Sequence, residues 1–302
     1  MSSFPSVILL NKKNSVLEIL VKTGVALFSR YLFVIFFLRM KIFLLCLLFS
    51  IVKASLVLKT ETGNEYKIGN ILGKGGLATV FKATELLSGQ LRAIKVYPAV
   101  HQDSFNKERQ MMRMIQDCPQ CCPLYETYTM GRDEGKKVFG SEGERHILIL
   151  GYYAHGDLRE RWKRDGKRVK YALIRKWIKQ MVEVVLLLAQ QKITHGDIHI
   201  RNFLLDDEDN IILCDFGHAH RIVLRHQVEL STEIRAIGKI LYRMLIDYGR
   251  VLNSGENLDE NRNLPIRKDA PKAAFDLMKK MVLPPDRQIL LGDIMEHEYM
   301  KF

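Results

Sequence analysis

Downstream of Glu65 the chain alternates apolar and polar positions. The stretches YKIGNILG (66–73) and ATVFKATEL (78–86) read as two half-buried strands with a glycine-rich turn between them. LRAIKVY (91–97) follows a Ser88–Gln90 turn and predicts a third strand. Phe105–Ile115 has helical spacing, and LYETYTM (124–130) and HILILGYY (146–153) predict two further strands. The charged, Gly-rich stretch Gly131–Arg145 between them reads as an exposed hairpin loop. Beyond Gly151 the period changes. Residues 172–190 place Ile174, Trp177, Ile178, Met181, Val185 and Leu188 on one helical face. Arg175, Lys176, Lys179 and Glu183 interrupt that helix, so its Leu-rich end is no membrane span. FLLD (203–206) and IILCDF (211–216) predict short strands around an acidic turn at Asp206–Asn210. Glu233–Asp247, Ala273–Met281 and Gln288–His297 predict helices. About five strands and one helix thus precede a mostly helical half, an α+β arrangement without internal repeats.

The leader, 1–54, does not fit this scheme. Residues 31–52 are long and apolar enough for a bilayer, but Arg39 and Lys41 fall near their middle. Each charge costs about 2.5–3.5 kcal/mol at a membrane centre. Starting at Met40 removes the conflict. Residues 40–54 then have a short basic start, an apolar run Ile42–Val52, and Val52 and Ala54 at the −3 and −1 positions of a cleavage site. This predicts a cleaved secretory signal peptide, with 1–39 as an extension or alternative start. With Met1 as the true start, 31–52 reads as an uncleaved anchor. Either way the expected localisation is the secretory pathway, secreted or membrane-anchored, with the membrane met only through the N-terminal segment.

Composition narrows the field. The 302 residues are 47% apolar and 26% charged with eight prolines, so a wholly disordered or collagen-like chain is excluded. The net charge of +12 suggests nucleic acid until it is located. Residues 1–60 carry eight Lys/Arg and one Glu, leaving only +5 on the rest. No Arg/aromatic block or zinc-finger spacing occurs, so no nucleic-acid partner is expected. Four cysteines follow the leader: Cys118, Cys121, Cys122 and Cys214. C-x-x-C-C lacks a second ligand pair at zinc spacing, which favours an oxidised loop or plain buried thiols.

Four short motifs carry chemistry. GKGGLATV, from Gly73 to Val80, reads G-x-G-x-x-A-x-V, a turn whose backbone N–H groups can approach phosphate oxygens. A Gly-rich hairpin turn would look the same in isolation. Lys95 lies on the strand that follows Val80, and Glu108 in the next helix is a carboxylate able to hold it. HGDIHIRN (195–202) puts Asp197 and Asn202 in one loop, a proton acceptor beside a metal-ligating amide. CDFG (214–217) follows a strand and sets Asp215 one short hairpin downstream of Asp197. Two carboxylates and an amide so spaced suit a Mg²⁺-nucleotide.

In this order the motifs resemble those of the eukaryotic protein kinase family, over roughly Tyr66 to Phe302. The resemblance implies a two-lobed fold, a β-rich N-lobe at about 60–150 and a helical C-lobe at about 151–302, within a domain spanning 55–302. It implies ATP and Mg²⁺ (or Mn²⁺) as cofactors, and a protein substrate as partner beside the nucleotide. ATP would lie against Leu72, Gly73, Gly75, Gly76, Val80 and Ala93, with Lys95 on its α/β-phosphates and Glu108 holding Lys95. Leu150 would be the gatekeeper and Gly151, Tyr152 and Tyr153 the hinge. Asp197 would be the catalytic base, and Asn202 and Asp215 the metal ligands. Arg287 falls at the position of an arginine in the family's last helices.

The departures set limits. His195-Gly196-Asp197 replaces His-Arg-Asp, removing the arginine that reads a phosphorylated activation loop. His199 stands where a lysine would face the γ-phosphate. A histidine supplies charge there only when protonated, so transfer is expected to be slow and faster at about pH 6 than at about pH 8. HGD-x-H also resembles aminoglycoside- and choline-kinase-like enzymes. The interval from Gly217 to Glu233 is short and contains no Ala-Pro-Glu, so the activation segment is largely absent. Three readings stay open: an atypical serine/threonine protein kinase, an ATP-binding pseudokinase acting as an interaction module, and a small-molecule kinase.

Overall fold

The computed structural model describes residues 39–42, 56–139, 143–165, 169–223, 226–245 and 267–301. The chain divides into two compact units, Met1–Leu56 and Val57–Phe302. In the first, residues 39–42 are helical. The rest of the signal-peptide and anchor segments lies outside the described residues. Among the described residues no helix is long and apolar enough to cross a membrane.

The second unit has the expected two-lobed α+β architecture. Its first part is a six-stranded antiparallel sheet in the order β1-β2-β3-β4-β6-β5. The strands are β1 Val57–Lys59, β2 Glu65–Lys74, β3 Thr79–Glu85, β4 Leu91–Pro98, β5 Leu124–Met130 and β6 Arg145–Gly151. Successive side chains of a strand point to opposite faces. Ala93, Tyr97, Leu148 and Leu150 therefore join the large inner core, while Ile94, Val96, Ile147 and Ile149 form a separate outer cluster. Burial of both faces explains why the middle of β6 reads as an unbroken apolar run rather than an alternation.

The inner face is covered by α1 (Gln102–Met114) through Phe105, Met111 and Met112. The outer face is covered by α2, Arg132–Phe139, which corrects the expected exposed loop at Gly131–Arg145. Gly135 and the dense charges suggest a loop, but Val138 is 4% exposed in the outer cluster and the Phe139 ring packs 5.3 Å from Phe81. Asp133 and Glu134 in its first turn and Lys136 and Lys137 in its last complement the helix dipole. Among the described residues the sheet lobe thus carries two α-helices and six strands, not one and five.

The second lobe is built on α4 (Tyr171–Gln190), whose Ile174, Trp177, Ile178, Met181, Val182, Val185 and Leu188 are all fully buried. Before it runs α3 (Leu158–Asp165), which the sequence reading did not single out. After it come β7 (Ile193–Thr194), the β8–β9 hairpin (Phe203–Leu205, Ile211–Leu213) and β10 (His220–Arg221), which pairs with β7. Helix α5 spans His226–Leu245 and begins well before Glu233; in its first turns Leu230 is buried while Val228 is half-exposed. Its expected last residues, 246 and 247, lie outside the described residues. Gly238 lets α5 pack tightly on α6 (Lys272–Val282), since a Cβ there would sit 2.8 Å from the Met281 Cβ. The helix expected at Gln288–His297 shrinks to one turn, α7 (Leu291–Ile294), followed by α8 (Glu298–Lys301). The reason is Gln288, whose buried amide donates to the carbonyls of Ser231 and Met281 and anchors the chain to α5 and α6. Cys118, Cys121, Cys122 and Cys214 are free thiols, with the Cys118 and Cys121 sulfurs 3.0 Å apart.

Candidate active site

The site lies between the lobes. On the sheet side, β4 sets Lys95 across from Val80 of β3. The Lys95 Nζ donates to Glu108 Oε1 and Oε2 at 2.9 and 2.8 Å, and to Asp215 Oδ1 at 2.7 Å. Glu108 is 1% exposed and also accepts the Tyr97 hydroxyl. Burial alone would push the Lys95 ammonium down, but Glu108 and Asp215 outweigh it and hold Lys95 well above the usual lysine range. Burial raises Asp215, yet Lys95 wins and its carboxyl is lowered, so the pair is fully charged at neutral pH.

The glycine turn joins β2 to β3. Gly73 is opposite Val80, and the Gly75 N–H donates to the Ala78 carbonyl at 2.9 Å. At Gly73 and Gly76 no atom lies within 4 Å of where a Cβ would sit, so the backbone edge is open. Leu72 is half-exposed beside this turn. Leu150 pairs with Ala93 on one side and Leu124 on the other. Val80, Ala93, Leu150 and Tyr153 border the inner core together with Leu204. The Gly151 N–H donates to the Pro123 carbonyl at 3.1 Å, and Tyr152 lies under the Lys82 ammonium, 4.9 Å from its ring centre.

On the helical side the loop after β7 is tied from several directions. His195 is fully buried, and burial pushes its imidazole down to about 4, so it is neutral. Its Nε2 lies 3.1 Å from the Cys214 carbonyl and its Nδ1 accepts the Asp197 N–H at 3.2 Å. The neutral ring thereby links the Asp197 loop to the strand carrying Asp215, and it packs edge-on against Phe216 at 5.0 Å. Asn202 donates Nδ2 to both the Asp197 carbonyl and Asp197 Oδ2, at 2.9 and 3.0 Å. Its own carbonyl accepts the Cys214 N–H at 2.8 Å. His199 Nε2 lies 3.3 Å from Asp197 Oδ2, and its Nδ1 accepts the Arg201 N–H. Asp215 itself adopts the left-handed conformation, φ 64°, a costly state for a non-glycine residue and one that aspartate tolerates better than most. The structure thus brings Lys95, Glu108, Asp197, His199, Asn202 and Asp215 into one site, with the Gly73–Gly76 turn joining the strands β2 and β3 whose Gly73 and Val80 lie in register with Lys95.

Two contributors were not legible as such. Glu233 of α5 accepts the Thr194 hydroxyl and the N–H groups of His195 and Gly196 on a single oxygen, at 2.6, 2.5 and 3.0 Å. Burial pushes its carboxyl up, only partly offset by these donors. Gly196 has φ 75°, and a Cβ there would meet the His218 carbonyl oxygen at 2.9 Å. Neither interaction has a local signature, because each partner is distant in sequence.

The protein kinase domain family matches residues 66–242, more than half of the chain. The chain belongs to the protein kinase family. Its relatives include CBL-interacting serine/threonine-protein kinase 16 of Arabidopsis thaliana, 30% identical over 51% of this chain and 31% of the relative. The NUAK family SNF1-like kinase 1 of Mus musculus is 27% identical over 81% of this chain and 40% of its own length. An Aurora kinase of Yarrowia lipolytica is 26% identical over 78% of this chain and 68% of its own. The chain therefore spans well under half of the first two relatives. It is a kinase-like phosphotransferase by family. Within this kinase, only residues 218–225 separate the Asp215-Phe216-Gly217 turn from α5, and two of those, His220 and Arg221, are consumed in pairing with β7. The arginine position of the catalytic loop is filled by the His218 carbonyl's close approach, which accounts for Gly196.

Proposed function

We propose that this kinase transfers the γ-phosphoryl group of ATP to a serine or threonine hydroxyl of a protein, using Mg²⁺ or Mn²⁺. The observation that carries the reading is the charged triad of Lys95, Glu108 and Asp215, with Lys95 set across β3 from the open glycine turn. A buried lysine held by two carboxylates is oriented to receive phosphate oxygens. The donor set also fits a hard cation: Asp215 offers carboxylate oxygen, and Asn202, whose amide nitrogen is taken up by Asp197, offers its amide oxygen. When bound, such a cation offsets charge on the phosphate chain. Asp197 accepts the acceptor's hydroxyl proton as the hydroxyl oxygen bonds to the γ-phosphorus and ADP leaves. Asn202 and His199 steady the Asp197 carboxylate from two sides, and Glu233 fixes the loop that presents it. Ala93, Leu150 and Leu204 supply apolar walls for the base, and Leu72 and the 151–153 hinge its rim.

The test is transfer of labelled γ-phosphate to serine peptides by the full chain. Asp197→Asn is expected to lower kcat by about 10²–10⁴-fold, the usual worth of a general base. ATP affinity should be unchanged. ATP binding without transfer in the wild type would assign the pseudokinase reading instead. The basic start, apolar run and Val52/Ala54 pair support a secretory destination for a domain running from 55 to 302. N-terminal sequencing of secreted protein is expected to begin near Ser55; retention of Met1 in a cytosolic product would contradict it.

A further inference from the structure

The C-x-x-C-C motif takes no part in the site between the lobes. It occupies the turn that joins α1 to β5. The Cys121 N–H donates to the Cys118 carbonyl at 3.1 Å, closing a four-residue turn that keeps the two Cα atoms close. On it the Cys121 thiol donates to the Cys118 sulfur at 3.0 Å. Joining the two sulfurs takes about 1 Å of further approach, and a turn of this kind already meets the Cα spacing of a disulfide. Among the described residues no group of three or more His, Cys, Asp or Glu side chains could hold a metal ion, so the pair is not half of a zinc site.

The four thiols differ in reactivity. The S–H of Cys121 lowers the Cys118 thiol and favours its thiolate, while Cys121, whose proton is held in that bond, is raised. Burial pushes Cys122 and Cys214 up, and the Cys122 sulfur faces the Gly151 carbonyl, 3.7 Å away. The thiolate is the reactive form, so Cys118 is the nucleophile of the set. Cys118 and Cys121 are 6% and 5% exposed, but Gln116, Asp117 and Pro119 beside them are exposed, so the sulfurs lie just beneath the surface. That depth selects a small oxidant. The turn is also tied to the strand that leads to Asp215. Leu213 of β9 donates its N–H to the Gln120 carbonyl and accepts the Cys122 N–H, both at 2.8 Å, in a parallel bridge opposite Cys121.

We propose that Cys118 and Cys121 form a dithiol oxidised by hydrogen peroxide, whose disulfide braces this turn against β9. The Cys118 thiolate attacks one peroxide oxygen, the O–O bond breaks, and Cys118 becomes a sulfenic acid as hydroxide departs. The Cys121 sulfur then bonds to the Cys118 sulfur, the S–O bond breaks, and the hydroxyl leaves with the Cys121 proton as water. The first hydroxide takes up the proton that Cys118 gave up. Two thiols are thus oxidised to one disulfide, and the peroxide is reduced to two waters. The cross-link removes open conformations of the turn, so the N–H groups paired across it to Leu213 open less often. The site is independent of phosphate transfer, and it places an oxidant response on the strand that leads to Asp215.

The experiment compares the folded full chain reduced with dithiothreitol and then treated with one equivalent of peroxide. Peroxide is expected to remove two hydrogens from the intact mass. Alkylation after unfolding, read by peptide fragmentation, should find Cys118 and Cys121 protected and Cys122 and Cys214 labelled. Amide exchange at Cys122 and Leu213 should slow about tenfold, the scale of closing a short loop, and dithiothreitol should restore it. In Cys121→Ala the mass should instead gain one oxygen, on Cys118, with exchange unchanged; the wild-type arms decide the matter even if that variant fails to fold. A Cys118 that stays open to alkylation after peroxide overturns the proposal, as does a bridge that takes Cys122 or Cys214 in place of either partner. A Cys118–Cys121 bridge that leaves exchange at Leu213 unchanged overturns the brace, and so does equal slowing in the peroxide-treated Cys121→Ala chain.

Discussion

The two walls of the site are held by different means. The wall proposed to face the nucleotide, β2 to β4 with α1, is a set of paired charges on neighbouring elements, with Lys95 saturated by Glu108 and Asp215. The wall proposed to face the acceptor, β7, β10 and the start of α5, hangs on one buried carboxylate and one glycine: Glu233 gathers three donors, and Gly196 passes close to the His218 carbonyl. The first wall stores its geometry in short motifs, the second in the fold. A substitution in the first should therefore change binding with little effect on folding. A substitution in the second should register as stability.

The strongest test of that contrast is Gly196→Arg, which restores the family's usual residue. A positive φ and a would-be Cβ 2.9 Å from a backbone oxygen leave it no unstrained place. The expected loss is about 3 kcal/mol, summing backbone strain and overpacking, read from chemical denaturation. An unchanged midpoint would mean that the two segments separate freely. Next in size is a pH dependence seated on His195, which burial holds at about 4. The unfolded chain takes up that proton near pH 6.5, before the folded one does. Stability is therefore full above pH 6.5 and is lost as pH falls toward 4, by about 3 kcal/mol at most. Glu233, pushed up by burial, slopes the opposite way: its neutral form favours the folded state at low pH, and that contribution fades as pH rises through its folded value. His195→Gln should flatten the acid limb of a denaturation series; a limb that persists unchanged assigns it to other groups. The smallest effect concerns the other end of the molecule. Val138→Ala on α2 should cost about 1.5 kcal/mol, two buried carbons' worth, with ATP affinity unaltered. A neutral result would return 132–139 to the status of a surface loop.

Much of the nucleotide wall could be read from the chain because Gly73–Val80, Lys95, Glu108 and Asp215 sit at fixed spacings on elements with clear periods. The sheet's central strands were legible for the same reason. Three features were not. Helix α2 contains Gly135 and is otherwise charged up to its last two positions, so its burial depends on Val138 and Phe139 meeting a sheet face that the local sequence does not describe. The start of α5 shows only a weak apolar stripe, because Leu230 is buried among polar neighbours and Val228 is half-exposed. The role of Glu233 requires that α5 return to β7 across the Asp215 turn, a tertiary fact. Gly196 was visible as a departure, but its cause was visible only once His218 was in place.

The central claim is that the charged triad is a working Mg²⁺-nucleotide site, and calorimetric titration of the full chain with ATP in Mg²⁺, and again in excess chelator, tests it most directly. The account predicts millimolar or tighter binding that requires the cation in the wild type and loses that requirement in Asp215→Asn, with both proteins unfolding at similar temperatures. Absence of ATP binding by the folded wild type, or binding indifferent to both the cation and Asp215, would contradict it.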